Sequence, residues 1–189
     1  MSDPALESTR RRLTARQADT VDRLGRAALD LLRREGFSGL TVRRVAAEAG
    51  VGAATAYTYF SSKEHLVAEV FWRRLTGSPR IEHTSDDRAA RVTEVLGHIS
   101  SLVADEPEFA GAVTTALLGR DPDVEELRAR IGADVRGRLA EALGSATDPD
   151  VIDALEMLYS GALVRAGMGH ASYEAIAAKL EKSARLLLG

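Results

Sequence analysis

The chain has 189 residues, 45% of them hydrophobic and 28% charged, which suits a globular protein of one domain or a small domain joined to a larger one. It contains no cysteine, which excludes disulfides and thiolate metal sites. No stretch approaches about 18 apolar residues, and the opening MSDPALESTRRR lacks a signal-peptide core, so a cytoplasmic protein without a membrane segment is expected.

Net charge is −3, but residues 1–63 carry 11 Lys/Arg against 7 Asp/Glu, and residues 64–189 carry 14 against 21. A basic end on an acidic body suits a polyanion held at one end. In chain order, residues 1–16 are polar, with Arg10, Arg11, Arg12 and Arg16, and are expected to form a flexible basic arm. From about Asp19, the residues Val21, Leu24, Ala28, Leu31 and Leu32 fall on one helical face, and Gly36 stops the helix. Thr41 is a suitable N-cap for a second helix, whose Val45, Ala46 and Ala49 face inward. Gly50 supplies a tight turn, and Ala53–Phe60 forms a third helix. Ser61 and Glu64 match a capping box and start a fourth helix. Further helices are predicted near 86–104, 107–118, 122–143, 149–168 and 172–188, with Pro107, Pro122 and Pro149 where helix starts accept proline. No segment alternates at period two. The expected fold is all-α with about nine helices.

Two short helices joined by a glycine turn and braced by others form a helix-turn-helix, whose second helix enters the DNA major groove. The stretch GVGAATAYTYFSSKEHL fits that task better than it fits a core. Ala53, Ala54 and the Thr55 methyl are small enough to pack on thymine methyl groups. The hydroxyls of Thr55, Tyr57 and Tyr59 and the Lys63 ammonium can reach phosphates. Arg43, in the first turn of the preceding helix, is placed to read guanine through two hydrogen bonds. Ala56 and Phe60 face the bracing helices.

Residues 19–66 resemble the DNA-binding region of the TetR family of bacterial transcriptional repressors, through GFSGLTVRRVAAEAGV (36–51) and TAYTYFSSKEHL (55–66). The resemblance implies that Thr41 caps the second helix and touches phosphate and that Arg43 reads a base. It implies that Ala53 and Ala54 line the groove, and that Thr55, Tyr57, Tyr59 and Lys63 hold the backbone. Thr58 completes the expected DNA-binding set. Gly52 departs from the polar residue that many members carry, and larger polar residues are usual near Ala53 and Thr58. Methyl contacts and DNA shape are therefore expected to carry more of the readout than base hydrogen bonds.

The expected division is an arm at 1–16, a helix-turn-helix domain at 17–63, and a ligand-binding and dimerisation domain at 64–189. Gly161, Ala162, Ala166, Ile176, Leu180 and Leu187 are expected at a homodimer interface built from the last two helices. Pocket candidates are Phe71, Trp72, His98, Leu102, Phe109, Val113, Leu117, Met157, Tyr159 and Met168. They are mostly apolar and suggest a hydrophobic effector, lipid-like or an acyl thioester. His65, His83, His98 and His170 lack metal-ligand spacing, and no nucleophile elbow, Walker A or dinucleotide fingerprint is present. No enzyme activity, metal or cofactor is expected. The expected function is a ligand-responsive repressor on a palindromic operator. The alternative is an effector-independent DNA-binding protein, controlled by a protein partner or acting in chromosome organisation.

Overall fold

The computed structural model describes residues 14–144, 148–168, 170 and 173–189. Among them the chain forms nine α-helices and no strand. These are α1 (Ala15–Gly39), α2 (Val42–Glu48), α3 (Ala53–Tyr59), α4 (Lys63–Gly77), α5 (Arg88–Ala104), α6 (Pro107–Leu117), α7 (Pro122–Leu143), α8 (Pro149–Gly167) and α9 (Tyr173–Leu188). Among these residues no helix is long and apolar enough to cross a membrane.

Helix boundaries follow local chemistry. α1 begins at Ala15 rather than near Asp19, because Thr14 and Gln17 form a reciprocal capping box. Arg16, expected in the arm, is therefore helical, while Arg10, Arg11 and Arg12 lie outside the described residues. Gly36 breaks α1 where expected. Its φ of 68° and ψ of −178° define a conformation open essentially to glycine alone, and three residues of a second helical turn follow. Thr41 caps α2 by accepting from the Arg44 amide. Asp87 and Asp148 cap α5 and α8 in the same manner.

The start of α4 differs from the expected capping box. Ser62, not Ser61, accepts from the His65 amide at 3.0 Å. The Ser61 hydroxyl is drawn instead to the Asp121 carboxylate.

The helices divide into two compact units. One holds the chain through Gly77 together with Glu108–Ala129, and the other holds Ser78–Pro107 with Arg130–Gly189. The compact unit around the helix-turn-helix thus extends beyond residue 63, taking in α4, nearly all of α6 and the start of α7. Its core includes Leu24, Leu32, Leu40, Val45, Ala46, Ala56, Phe60 and Leu66, all buried. Glu69 is also buried there. Its carboxylate is bound by Arg73 at 2.8 Å, and Arg73 reaches Asp22 at 3.0 Å, tying α4 to α1.

In the second unit α9 packs against α5 and α8. Ile176, Leu180 and Ala184 form the inner stripe of α9, and Ala166 of α8 is buried as well. The residues expected at the dimer surface divide accordingly. Ile176, Leu180 and Ala166 are consumed by packing within the chain, whereas Gly161 and Leu187 remain exposed and Ala162 half-buried. Four large apolar side chains stand on the open sides of these two helices: Met157, Met168, Leu186 (79% exposed) and Leu187.

Gly36→Ala should lower stability by about 1–3 kcal/mol, because its strain is conformational and nothing within 4 Å obstructs a Cβ. Gly97→Ala, in an exposed part of helix α5 with similar open space, should raise stability by about 0.5–1 kcal/mol. Thermal unfolding of the two variants beside the parent checks both signs.

Candidate nucleic-acid interface

The turn between α2 and α3 is built from backbone bonds around Gly50, whose φ is 63°. The Val51 amide donates to the Ala46 carbonyl at 2.8 Å, and the Gly50 amide to that of Ala47 at 3.1 Å. Arg23, from α1, donates to the Ala49 carbonyl at 2.5 Å and lies 3.4 Å from that of Gly50. An arginine of the bracing helix thus closes the C-terminal end of α2, where cations are favourable. No local pattern announces this contact, since Arg23 falls on the polar face of α1.

α3 turns Ala56, Tyr59 and the following Phe60 inward. Its outer side carries Ala54, Thr55, Tyr57 and Thr58, all exposed, and Ala53 is half-buried. Tyr57 is 48% exposed, so its hydroxyl is open to a partner. Tyr59, grouped with it as a phosphate contact, is only 8% exposed and stacks at an angle beside Phe60, their centroids 6.5 Å apart. Helical geometry accounts for the difference, because two residues rotate about 200° around the axis and cannot share a face.

Cations near this surface divide sharply. Arg44 makes a two-toothed ion pair with Glu35 and donates to the Gly39 carbonyl at 2.9 Å. Their mutual hydrogen bonds and charges hold the Glu35 carboxyl below its ordinary range and raise Arg44. Arg34 pairs with Glu48 at 3.1 Å. Lys63, expected at phosphate, donates to the Phe37 carbonyl at 2.9 Å and sits 4.2 Å above the Phe37 ring. It closes the turn left open by the Gly36 break. Arg43 is exposed and, among the described residues, has no ion-pair or hydrogen-bond partner. Thr41 uses its hydroxyl oxygen as a cap acceptor, which leaves the O–H proton available.

The start of α4 rests on a hub that the sequence did not disclose. Asp121 accepts from the Ser61 hydroxyl at 3.2 Å and from the Asp123 amide at 2.9 Å. One carboxylate therefore serves the approach to α4 and the first turn of α7. Burial alone would raise the Asp121 carboxyl. Hydrogen bonds from the Ser62 hydroxyl, the Asp123 amide, the Ser61 hydroxyl and the Val124 amide outweigh it and hold the carboxyl below its usual range. His65, 1% exposed, places Nδ1 3.2 Å from the Ser61 hydroxyl and 3.6 Å from Asp123, with its ring edge-on to Phe60.

The effector candidates separate between the units. Phe71, Trp72, Phe109 and Val113 are buried in the first and Leu117 is half-buried there; Arg74 lies 4.5 Å above the Phe109 ring. The Trp72 indole Nε1 is buried without a hydrogen-bond partner. In the second unit Tyr159 is buried, and His98 and Leu102 are half-buried. His98 borders a cavity of about 10 Å³ with Ile81, His83, Val95, Arg138 and Glu141, and its Nε2 is also unpartnered. Met157 and Met168 do not line an interior, being 69% and 66% exposed. Among the described residues no cluster of three or more His, Cys, Asp or Glu is arranged to hold a metal ion.

A braced helix-turn-helix with an open second helix, carried on a helical body, defines a DNA-binding transcriptional regulator. Residues 25–70 match the family described as bacterial regulatory proteins, tetR family. The chain is 43% identical over 189 residues to an HTH-type transcriptional regulator of Mycobacterium bovis, covering 99% of this chain and 88% of the relative. The chain belongs to the TetR family, whose members regulate transcription and are not enzymes. A TetR transcriptional regulator from Rhodococcus sp. RHA1 shares the fold with a TM-score of 0.74 at 20% identity, over 92% of this chain and 97% of that one. Thermus thermophilus FadR, a TetR-family repressor solved in complex with lauroyl-CoA, matches with a TM-score of 0.58 at 22% identity, over 89% and 93%.

Two outcomes are expected from the arrangement. Lys63→Met should cost about 0.5–1.5 kcal/mol of stability through the lost clamp on Phe37. It should leave the slope of log affinity against log salt unchanged; a slope smaller by about 1 would return Lys63 to a phosphate. Asp121→Ala should cost about 1–2 kcal/mol at neutral pH through the lost cap and hydroxyl bonds. Because the folded-state carboxyl is depressed, its contribution is fully present above the unfolded value of about 3.9 and is lost as pH falls from there through the lower folded value. The gap between variant and parent should therefore narrow below pH ~4 in thermal unfolding.

Proposed function

We propose that the chain is a ligand-responsive repressor that binds a palindromic operator as a homodimer and leaves it when a small hydrophobic effector binds. The observation that carries the DNA half of this reading is the open outer side of α3, together with an exposed Arg43 on α2 that has no ion-pair or hydrogen-bond partner among the described residues. In this reading Arg43 reads a base, Ala53 and Ala54 line the groove, and Thr41, Thr55 and Tyr57 contact phosphates. Residues 17–63 form the DNA-binding module, and residues 64–189 hold the effector and the dimer surface. Such a regulator acts on the chromosome in the bacterial cytoplasm.

Dimerisation is supported by the apolar side chains that α8 and α9 leave uncovered, Met157, Met168, Leu186 and Leu187. Two-fold pairing would set the recognition helices about one DNA turn, roughly 34 Å, apart. An acyl thioester is the proposed effector class. It is supported by the buried aromatic group around α4 and α6, whose Trp72 N–H lacks an acceptor that a carbonyl oxygen could supply. The lauroyl-CoA complex of the Thermus relative points the same way. Effector binding would favour a dimer state whose helices no longer match successive major grooves, a shift of population by differential affinity.

Trp72 is the single tryptophan of the chain, so its fluorescence reports effector binding directly. A titration with lauroyl-CoA and its chain-length series should change that emission and weaken binding to DNA from upstream of the gene. DNA binding that responds to salt but to none of these ligands would leave the effector-independent alternative standing. Binding that is flat across salt concentration would remove the DNA reading itself.

A further inference from the structure

We propose that Thr58 reads DNA as an apolar side chain, and that Ala54 and Thr58 form a methyl-lined patch on α3 selecting thymine by its C5 methyl group. The inference rests on α3 entering the major groove. The Thr58 hydroxyl donates to the Thr55 carbonyl at 2.6 Å, within its own helix. That bond fixes the side-chain rotamer and takes up the only proton the hydroxyl has to give. What an exposed Thr58 then offers a base is its γ-methyl and an oxygen that can accept but no longer donate. Ala54 lies one turn earlier on the same face and is also exposed, so both residues present methyl-bearing side chains on that face.

The neighbours that could have overridden this apolar readout are occupied. Arg44 is held by Glu35 and the Gly39 carbonyl, and Lys63 by the Phe37 carbonyl. Arg43 and the hydroxyls of Thr55 and Tyr57 remain, on other positions of α2 and α3. In the major groove the thymine methyl is the apolar feature that distinguishes one base pair from the rest. Thymine preference at the positions under Ala54 and Thr58 therefore comes from methyl burial rather than from hydrogen bonds.

The test uses the full chain and a duplex recovered from a randomised pool by affinity selection. Each thymine is replaced in turn by deoxyuridine, which keeps every hydrogen-bonding group and removes the methyl. At one or two positions per half-site, Kd should rise about fourfold per methyl removed. Thr58→Val keeps the γ-methyl and loses the hydroxyl, and it should retain the discrimination at its position. Thr58→Ser keeps the hydroxyl and loses the methyl, and it should abolish it. Indifference to deoxyuridine at every position overturns the proposal, as does a Val variant that loses the discrimination or a Ser variant that keeps it. Failure to recover any bound duplex would instead count against groove entry by α3, and this proposal would fall with that reading.

Discussion

A helix of seven residues is too short to hold itself, because the nucleation cost is borne by too few backbone bonds. α3 exists because Ala56, Tyr59 and Phe60 are buried against its neighbours, and the rest of the first unit can be understood as the means of keeping them there. Arg23 closes the turn before α3, Lys63 and Arg44 close the joint between α1 and α2, and Asp121 fixes the chain just after Phe60. Half of a very short helix is thus used for attachment. The other half is open to a ligand without loss of the fold.

This division explains why net charge is a poor guide to the DNA-binding surface. The basic surplus of residues 1–63 suggests a broad electrostatic footprint, yet several of its cations are bound internally to carbonyls or carboxylates. Arg43 is distinguished from its neighbour Arg44 by one step along α2, about 100° of rotation, which places only Arg44 within reach of Glu35. Charge count records both residues equally.

Helix positions were largely legible in the sequence, because they depend on residues a few places apart. Thr41, Gly50, Pro149 and the apolar rhythm of α1 each announce a boundary or a buried face within one or two turns. What escaped depends on distant partners. Lys63 and Phe37 are 26 residues apart, and Ser61 and Asp121 are 60 apart, so no local pattern could pair them. The apolar stripe of α9 was visible through Ile176, Leu180 and Leu187, but periodicity does not say whether such a stripe meets its own chain or a copy, and Leu187 is exposed. Tyr59 differs from Tyr57 for another reason: the alternation Tyr57, Tyr59 resembles a pair, and only the helical rotation turns the Tyr59 ring inward.

The shared use of Asp121 has a consequence for how this sequence can change over time. The link between α6 and α7 is only four residues, Leu118 to Asp121, and its last member also grips the residue ahead of α4. An insertion or deletion there would displace a carboxylate needed in two places, so length variation should be rejected at that link. The connection between α4 and α5 is tethered differently, through Arg80 to Asp134 at 2.9 Å and through Arg91 to the Ser85 carbonyl at 2.7 Å. The recognition surface is thereby tied to the length of a loop some 60 positions away in the chain, a constraint on its descent that no inspection of the helix itself would suggest.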